Sequence, residues 1–177
     1  MASLENAELL RYVRSELRPA RVLALIAGVV IGAVILALAG FSGSREPSGH
    51  INQLAYWQFL HAAIFIAASI VLVLWTLISS AHALVGERTQ RTFDFWRATR
   101  LSAATLLLGK LFGPSLGAWL QYAAALPLLL ITGALAHFRL AAVLASYAII
   151  ALWTVAVDML ALCVSARAKD GRKAQLL

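Results

Sequence analysis

An aspartate at position 158 sits in a run, Leu140 to Ala166, that holds no other charged residue. Tyr147, Thr154, Asp158 and Ser165 follow one another at intervals of seven, four and seven, so a helix places them on one face. A second uncharged run carries a matching polar face in Gln58, Ser69, Thr76 and Ser80. Thr76 lies eleven residues before Glu87, Gln121 eleven after Lys110, and Asp158 nine before Arg167, the last separation being roughly 13 Å at the helical rise. Thr76, Gln121, Thr154 and Asp158 are therefore expected to form a polar cluster at one depth. An ionisable group in an apolar run has two readings. It marks a proton or substrate pathway, or it is hydrogen-bonded glue between helices. The sequence offers no second acid or base to take a proton from Asp158, which favours glue.

Other chemistry is absent. No G-x-x-x-x-G-K-[ST] loop occurs, because Gly109-Lys110 lacks the upstream glycine and the following hydroxyl, so the chain holds no nucleotide motif of its own. Neither H-E-x-x-H nor G-x-S-x-G is present. His50, His61, His82 and His137 are scattered, and Cys163 is the only cysteine, so no disulfide framework or cysteine metal site arises within one chain. The reading is of a protein that is not an enzyme and needs no metal or cofactor.

The elements that must position these residues follow from composition. Of 177 residues, 62% are hydrophobic and 13% charged, against about 45–50% and about 25% in soluble domains. The charges leave gaps long enough for spans of about 20 residues. Transmembrane helices are expected over 22–41, 57–81, 111–135 and 141–166, giving an all-α polytopic bundle in one domain. Ala37-Leu38-Ala39 resembles a signal-peptide cleavage site, but the apolar run before it exceeds a usual h-region and an uncleaved span is preferred. All but two of the 15 Lys and Arg, Arg45 and Arg139, fall before span one, between spans two and three, or after span four. The positive-inside rule makes those segments cytoplasmic, and the expected location is the inner, cell membrane. The net charge of +7 is thereby accounted for without nucleic acid.

Residues 1–20 read as an amphipathic helix, with Leu9, Leu10, Val13 and Leu17 on one face and Arg11, Arg14 and Arg18 on another. It either lies on anionic membrane lipid or is an ordinary solvated helix. Pro19 is expected to end or kink it. Small residues four apart, Gly28 and Gly32 in span one and Gly109, Gly113 and Gly117 at the start of span three, suit close helix packing. Pro114 and Pro127 are expected to kink span three. The segment 86–110 is the longest polar stretch, and in it Phe93, Phe95 and Trp96 alternate with Arg91, Asp94 and Arg97. That pattern suits a docking surface or interfacial anchoring of the aromatics.

From Glu87 to Gly113 the chain reads ERTQRTFDFWRATRLSAATLLLGKLFG. This resembles the permease subunits of type-2 ATP-binding cassette (ABC) exporters, whose turn between spans two and three carries E-R-x-x-G-T, a T-P-L-S element and a G-K before span three. Glu87, Arg88, Thr92, Thr99, Leu101, Ser102, Gly109 and Lys110 match; Arg91 replaces the glycine and Arg100 the proline. The resemblance implies a cytoplasmic elbow that docks a separate ABC ATPase subunit, here through Glu87, Arg88, Thr92, Phe93, Asp94, Phe95, Trp96, Arg97, Leu101 and Ser102. It implies a dimer with a second permease unit and a pathway between the two. It also implies six spans where this chain supplies four, so that the apolar ending Ala174-Gln175-Leu176-Leu177 would begin a further helix of a longer unit. The alternative is a non-transporting four-helix membrane scaffold or assembly factor.

Overall fold

The computed structural model describes residues 13–43, 52–89, 108–109 and 111–167. Four long helices carry the fold: α1 (Pro19–Gly43), α2 (Gln53–Thr89), α3 (Leu116–Leu135) and α4 (Leu140–Arg167). Among the described residues there is no strand, and the chain is an all-α helical bundle. All four helices are long and apolar enough to cross a membrane, over Pro19–Phe41, Gln53–Ser80, Leu116–Leu135 and Leu140–Val164.

The ends of these helices follow local chemistry. Residues 13–16 form a helical turn, closed by the Leu17 amide donating to Val13 O at 2.8 Å. Pro19 is then the first residue of α1, where its fixed φ suits the helix and its missing N–H costs nothing. The remainder of the expected amphipathic helix lies outside the described residues. At the start of α2, the Asn52 side chain accepts from the Ala55 amide at 3.1 Å, an N-cap that moves the helix start four residues ahead of the expected Trp57. At its other end α2 runs on to Thr89, through the expected start of the elbow at Gly86.

Span three starts later than expected. The Gly113 amide closes one turn onto Gly109 O at 2.9 Å, residues 113–115 form a turn, and α3 begins at Leu116 instead of Leu111. Pro114 has no amide to continue the ladder. Gly109 and Gly113 therefore precede α3, and only Gly117 lies in it. Pro127, by contrast, sits inside α3 without ending it.

The α3–α4 connection is tight. His137 takes a left-handed backbone with φ of 58°. The Phe138 amide donates to Gly133 O at 2.9 Å and the His137 amide to Ala134 O at 3.1 Å. These are the two bonds of a Schellman cap, with histidine where glycine is usual. Arg139 O accepts from the Ala142 and Val143 amides at 2.9 and 3.2 Å and so opens α4.

Two compact units divide the helices. One comprises Pro19–Leu72 and Trp119–Leu152, the other Met1–Arg18, Val73–Ala118 and Trp153–Leu177. The first is built on Leu60, Ile64 and Leu129, with Ala33, Leu36, Ala37 and Phe65 packed against them. Its close approaches involve glycines that the sequence pattern did not single out. A Cβ at Gly40 would come within 2.7 Å of Phe59 Cδ1, and one at Gly133 within 3.0 Å of Val143 Cγ2. In the second unit, a Cβ at Gly117 would meet Glu16 Oε2 at 3.2 Å and Trp75 Cζ2 at 3.4 Å. The small-residue stripe of α1 behaves differently: a Cβ at Gly28 or Gly32 would meet nothing within 4 Å.

Candidate functional site

The buried acid has a partner. Ser80 on α2 donates its hydroxyl to Oδ1 of Asp158 on α4, and the two residues are 0% and 1% exposed. One turn earlier on each helix stands a buried threonine, Thr76 on α2 and Thr154 on α4. Thr76 turns its hydroxyl back to Val73 O at 3.1 Å. In the same unit Ser115 is buried and donates to Leu111 O at 2.8 Å. Burying a hydroxyl or a carboxyl among apolar side chains is costly unless each finds a hydrogen bond. Back-bonding to the preceding turn meets that demand for Thr76 and Ser115, and the Ser80–Asp158 bond meets it for the acid. The arrangement ties α2 to α4 through a hydrogen bond in apolar surroundings. Among the described residues, no group of three or more His, Cys, Asp and Glu is placed to hold a metal ion.

The expected cluster is thus partly assembled. Thr76, Thr154 and Asp158 share a unit and gain Ser80, whereas Gln121 belongs to the other unit. There Gln121 lines an apolar groove of about 170 Å³ with Gly28, Gly32, Ile64, Ala68 and Ala125. Tyr147, expected on the Asp158 face, stacks instead on Tyr122, with ring centroids 3.9 Å apart and planes 8° from parallel. Each tyrosine donates its hydroxyl to the other's backbone carbonyl, Tyr122 to Tyr147 O at 3.1 Å and Tyr147 to Tyr122 O.

Comparison with protein-family models, curated proteins and solved structures finds no match to this chain.

Of the elbow, Glu87 and Arg88 lie on the helical backbone of α2, while Thr92, Phe93, Asp94, Phe95, Trp96, Arg97, Leu101 and Ser102 lie outside the described residues. Sequence reasoning missed Tyr122 and Ser115 and gave His61 no role. A tyrosine inside an apolar run was the available signal for Tyr122, since a buried phenol needs an acceptor.

Proposed function

We propose that this chain is a membrane permease: the span-forming component of a transporter driven by an ATPase on a separate chain. The observation that carries the reading is the segment Glu87–Gly113, with its resemblance to the cytoplasmic turn of type-2 ABC exporters. Four span-length helices support it. So does the helical backbone of α2, which runs unbroken to Thr89 and so carries Glu87 and Arg88 on the same helix as the span. A partner pushing on that end of α2 would act on the membrane helix directly. The Lys and Arg bias argues for cytoplasmic termini, and an ABC permease would reside in the cell membrane. A second permease unit would complete the pathway.

The experiment is a pull-down with a co-expressed ATPase. A central aromatic in an interface carries about 2 kcal/mol or more. Phe93→Ala combined with Trp96→Ala is expected to weaken ATPase association at least tenfold, about 1.4 kcal/mol, while membrane insertion survives. If these aromatics only anchor the segment to the interface, the double variant keeps its partner and a protease-protection assay shows altered topology.

A further inference from the structure

The α3–α4 turn and the first part of α2 border an open cavity of about 320 Å³ lined by His61, Phe138, Arg139, Ala142, Val143 and Ser146. His61 is its buried polar group, 8% exposed. Thr132 Oγ1 lies 2.8 Å from Leu128 O, to which it can donate, and 3.2 Å from His61 Nδ1. With the Thr132 proton directed to Leu128 O, its oxygen accepts from Nδ1, and Nε2 of the neutral ring is then assigned as the hydrogen-bond acceptor. The ring is held by Phe138, edge-on at 5.1 Å, and by Gly133, where a Cβ would reach Cε1 at 3.3 Å.

The rest of the wall attracts anions. Arg139 is exposed and brings a guanidinium, and among the described residues no carboxylate lines the cavity. Arg139 also opens a 28-residue helix; the Ala142 and Val143 amides bond back to Arg139 O, the Leu140 and Ala141 amides precede the ladder, and the helix dipole favours negative charge there. Ser146 turns its proton to Val143 O at 2.9 Å and adds no donor. Beside these groups lie apolar surfaces, Phe138, Ala142 and Val143 in the wall and the exposed Leu140 and Leu144 one turn apart on α4.

We propose that this cavity binds the headgroup of an anionic phospholipid that bears both a phosphate and a hydroxyl, as phosphatidylglycerol does. The phosphate meets Arg139 and the start of α4, the headgroup hydroxyl donates to His61 Nε2, and the acyl chains run along Leu140 and Leu144. The end of membrane-spanning helices is where lipid phosphates lie, and the exposed leucines beside the cavity favour a lipid over a soluble phosphodiester. The site does not depend on the transport reading.

The test uses the full chain in phosphatidylcholine nanodiscs with and without phosphatidylglycerol, read by NMR of the histidine rings and by native mass spectrometry of retained lipid. Phosphatidylglycerol is expected to shift the His61 Nε2 resonance and leave Nδ1 in place. Arg139→Gln is expected to lower its retention at least tenfold and Arg139→Lys to keep part of it. Because Arg139 is exposed, both variants should fold. If soluble glycerophosphoglycerol in phosphatidylcholine nanodiscs shifts Nε2 as strongly as the lipid, the headgroup chemistry stands and the assignment to a lipid falls. The proposal is overturned if phosphatidylglycerol leaves His61 unmoved, or if Arg139→Gln retains as much of it as the native chain.

Discussion

Tyr122 and Tyr147 form a reciprocal clasp: the rings stack 3.9 Å apart, and each hydroxyl donates to the carbonyl of the opposite residue. Two helices, α3 and α4, are thereby joined by one stacking contact and two hydrogen bonds at a single level. Interhelical hydrogen bonds in membranes contribute on average about 0.6 kcal/mol, with a maximum near 1.7. Tyr122→Phe and Tyr147→Phe should each destabilise by that order, and the stacked rings should survive in both. The double variant should show coupling, because loss of one bond loosens the register of the other. Unfolding measured in bilayers or bicelles through a double-mutant cycle checks this; strictly additive losses would mean that the bonds act independently.

The Ser80–Asp158 pair gives a second expectation. Asp158→Asn keeps an oxygen to accept from Ser80 and should retain expression and most activity. Asp158→Leu removes the acceptor and should cost about 0.6–2 kcal/mol. Thermal stability of the purified variants, set beside a transport or growth assay, separates the roles of this residue. Loss of transport in an Asp158→Asn protein that still assembles would make it a proton or substrate group instead of helix glue.

Glycines on neighbouring helices should respond with opposite sign. At Gly28 and Gly32 an added Cβ meets open space, so alanine gains helix propensity of about 1 kcal/mol each. At Gly133 the same methyl is wedged between Val143 and His61, where overpacking costs about 1–3 kcal/mol. The expected net loss for Gly133→Ala is about 1 kcal/mol. Stability of the three single variants in one detergent tests the contrast. Gly28→Ala that destabilises the chain in membranes but not as a dilute monomer would reveal a partner in the groove that Gly28 and Gly32 line.

Topology is checked by single cysteines placed in a Cys163→Ser background. A cysteine at Gly49 is expected to react with a membrane-impermeant reagent in intact cells, and one at Gln90 is expected to stay protected. The motivation is the distribution of Lys and Arg, all but two of which fall before span one, between spans two and three, or after span four. Labelling at Gln90 from outside would reverse the orientation.

The four span-length helices were legible because charge is excluded from hydrocarbon, and the nearly uncharged runs are long enough to cross it. Their ends were less so. The start of α3 moved to Leu116 because Gly113 and Pro114 interrupt the ladder, an effect that hydropathy does not register. The start of α2 moved to Gln53 because Asn52 caps it, a signal present in the sequence but outweighed by the apolar pattern. Partners were the least legible. Periodicity put Tyr147 and Asp158 on one face, and their positions along α4 then gave them different neighbours, Tyr122 for one and Ser80 for the other. A spacing of four between Gly28 and Gly32 describes one helix only; whether another backbone comes close depends on what stands opposite.

The apolar spans of α2 and α3 differ in length, at least 28 residues against 20. At the helical rise these are about 42 Å and about 30 Å. The longer matches a whole bilayer with its headgroups, about 40–45 Å, and the shorter only the hydrocarbon core, about 30 Å. Hydrophobic mismatch therefore falls unequally on the two. In a thicker membrane α2 has reserve at both ends, whereas α3 must draw the turns that flank it, at Gly113–Ser115 and Ala136–His137, toward hydrocarbon or thin the lipid around it. Bilayer thickness is thus a variable that acts on this chain through α3 more than through α2.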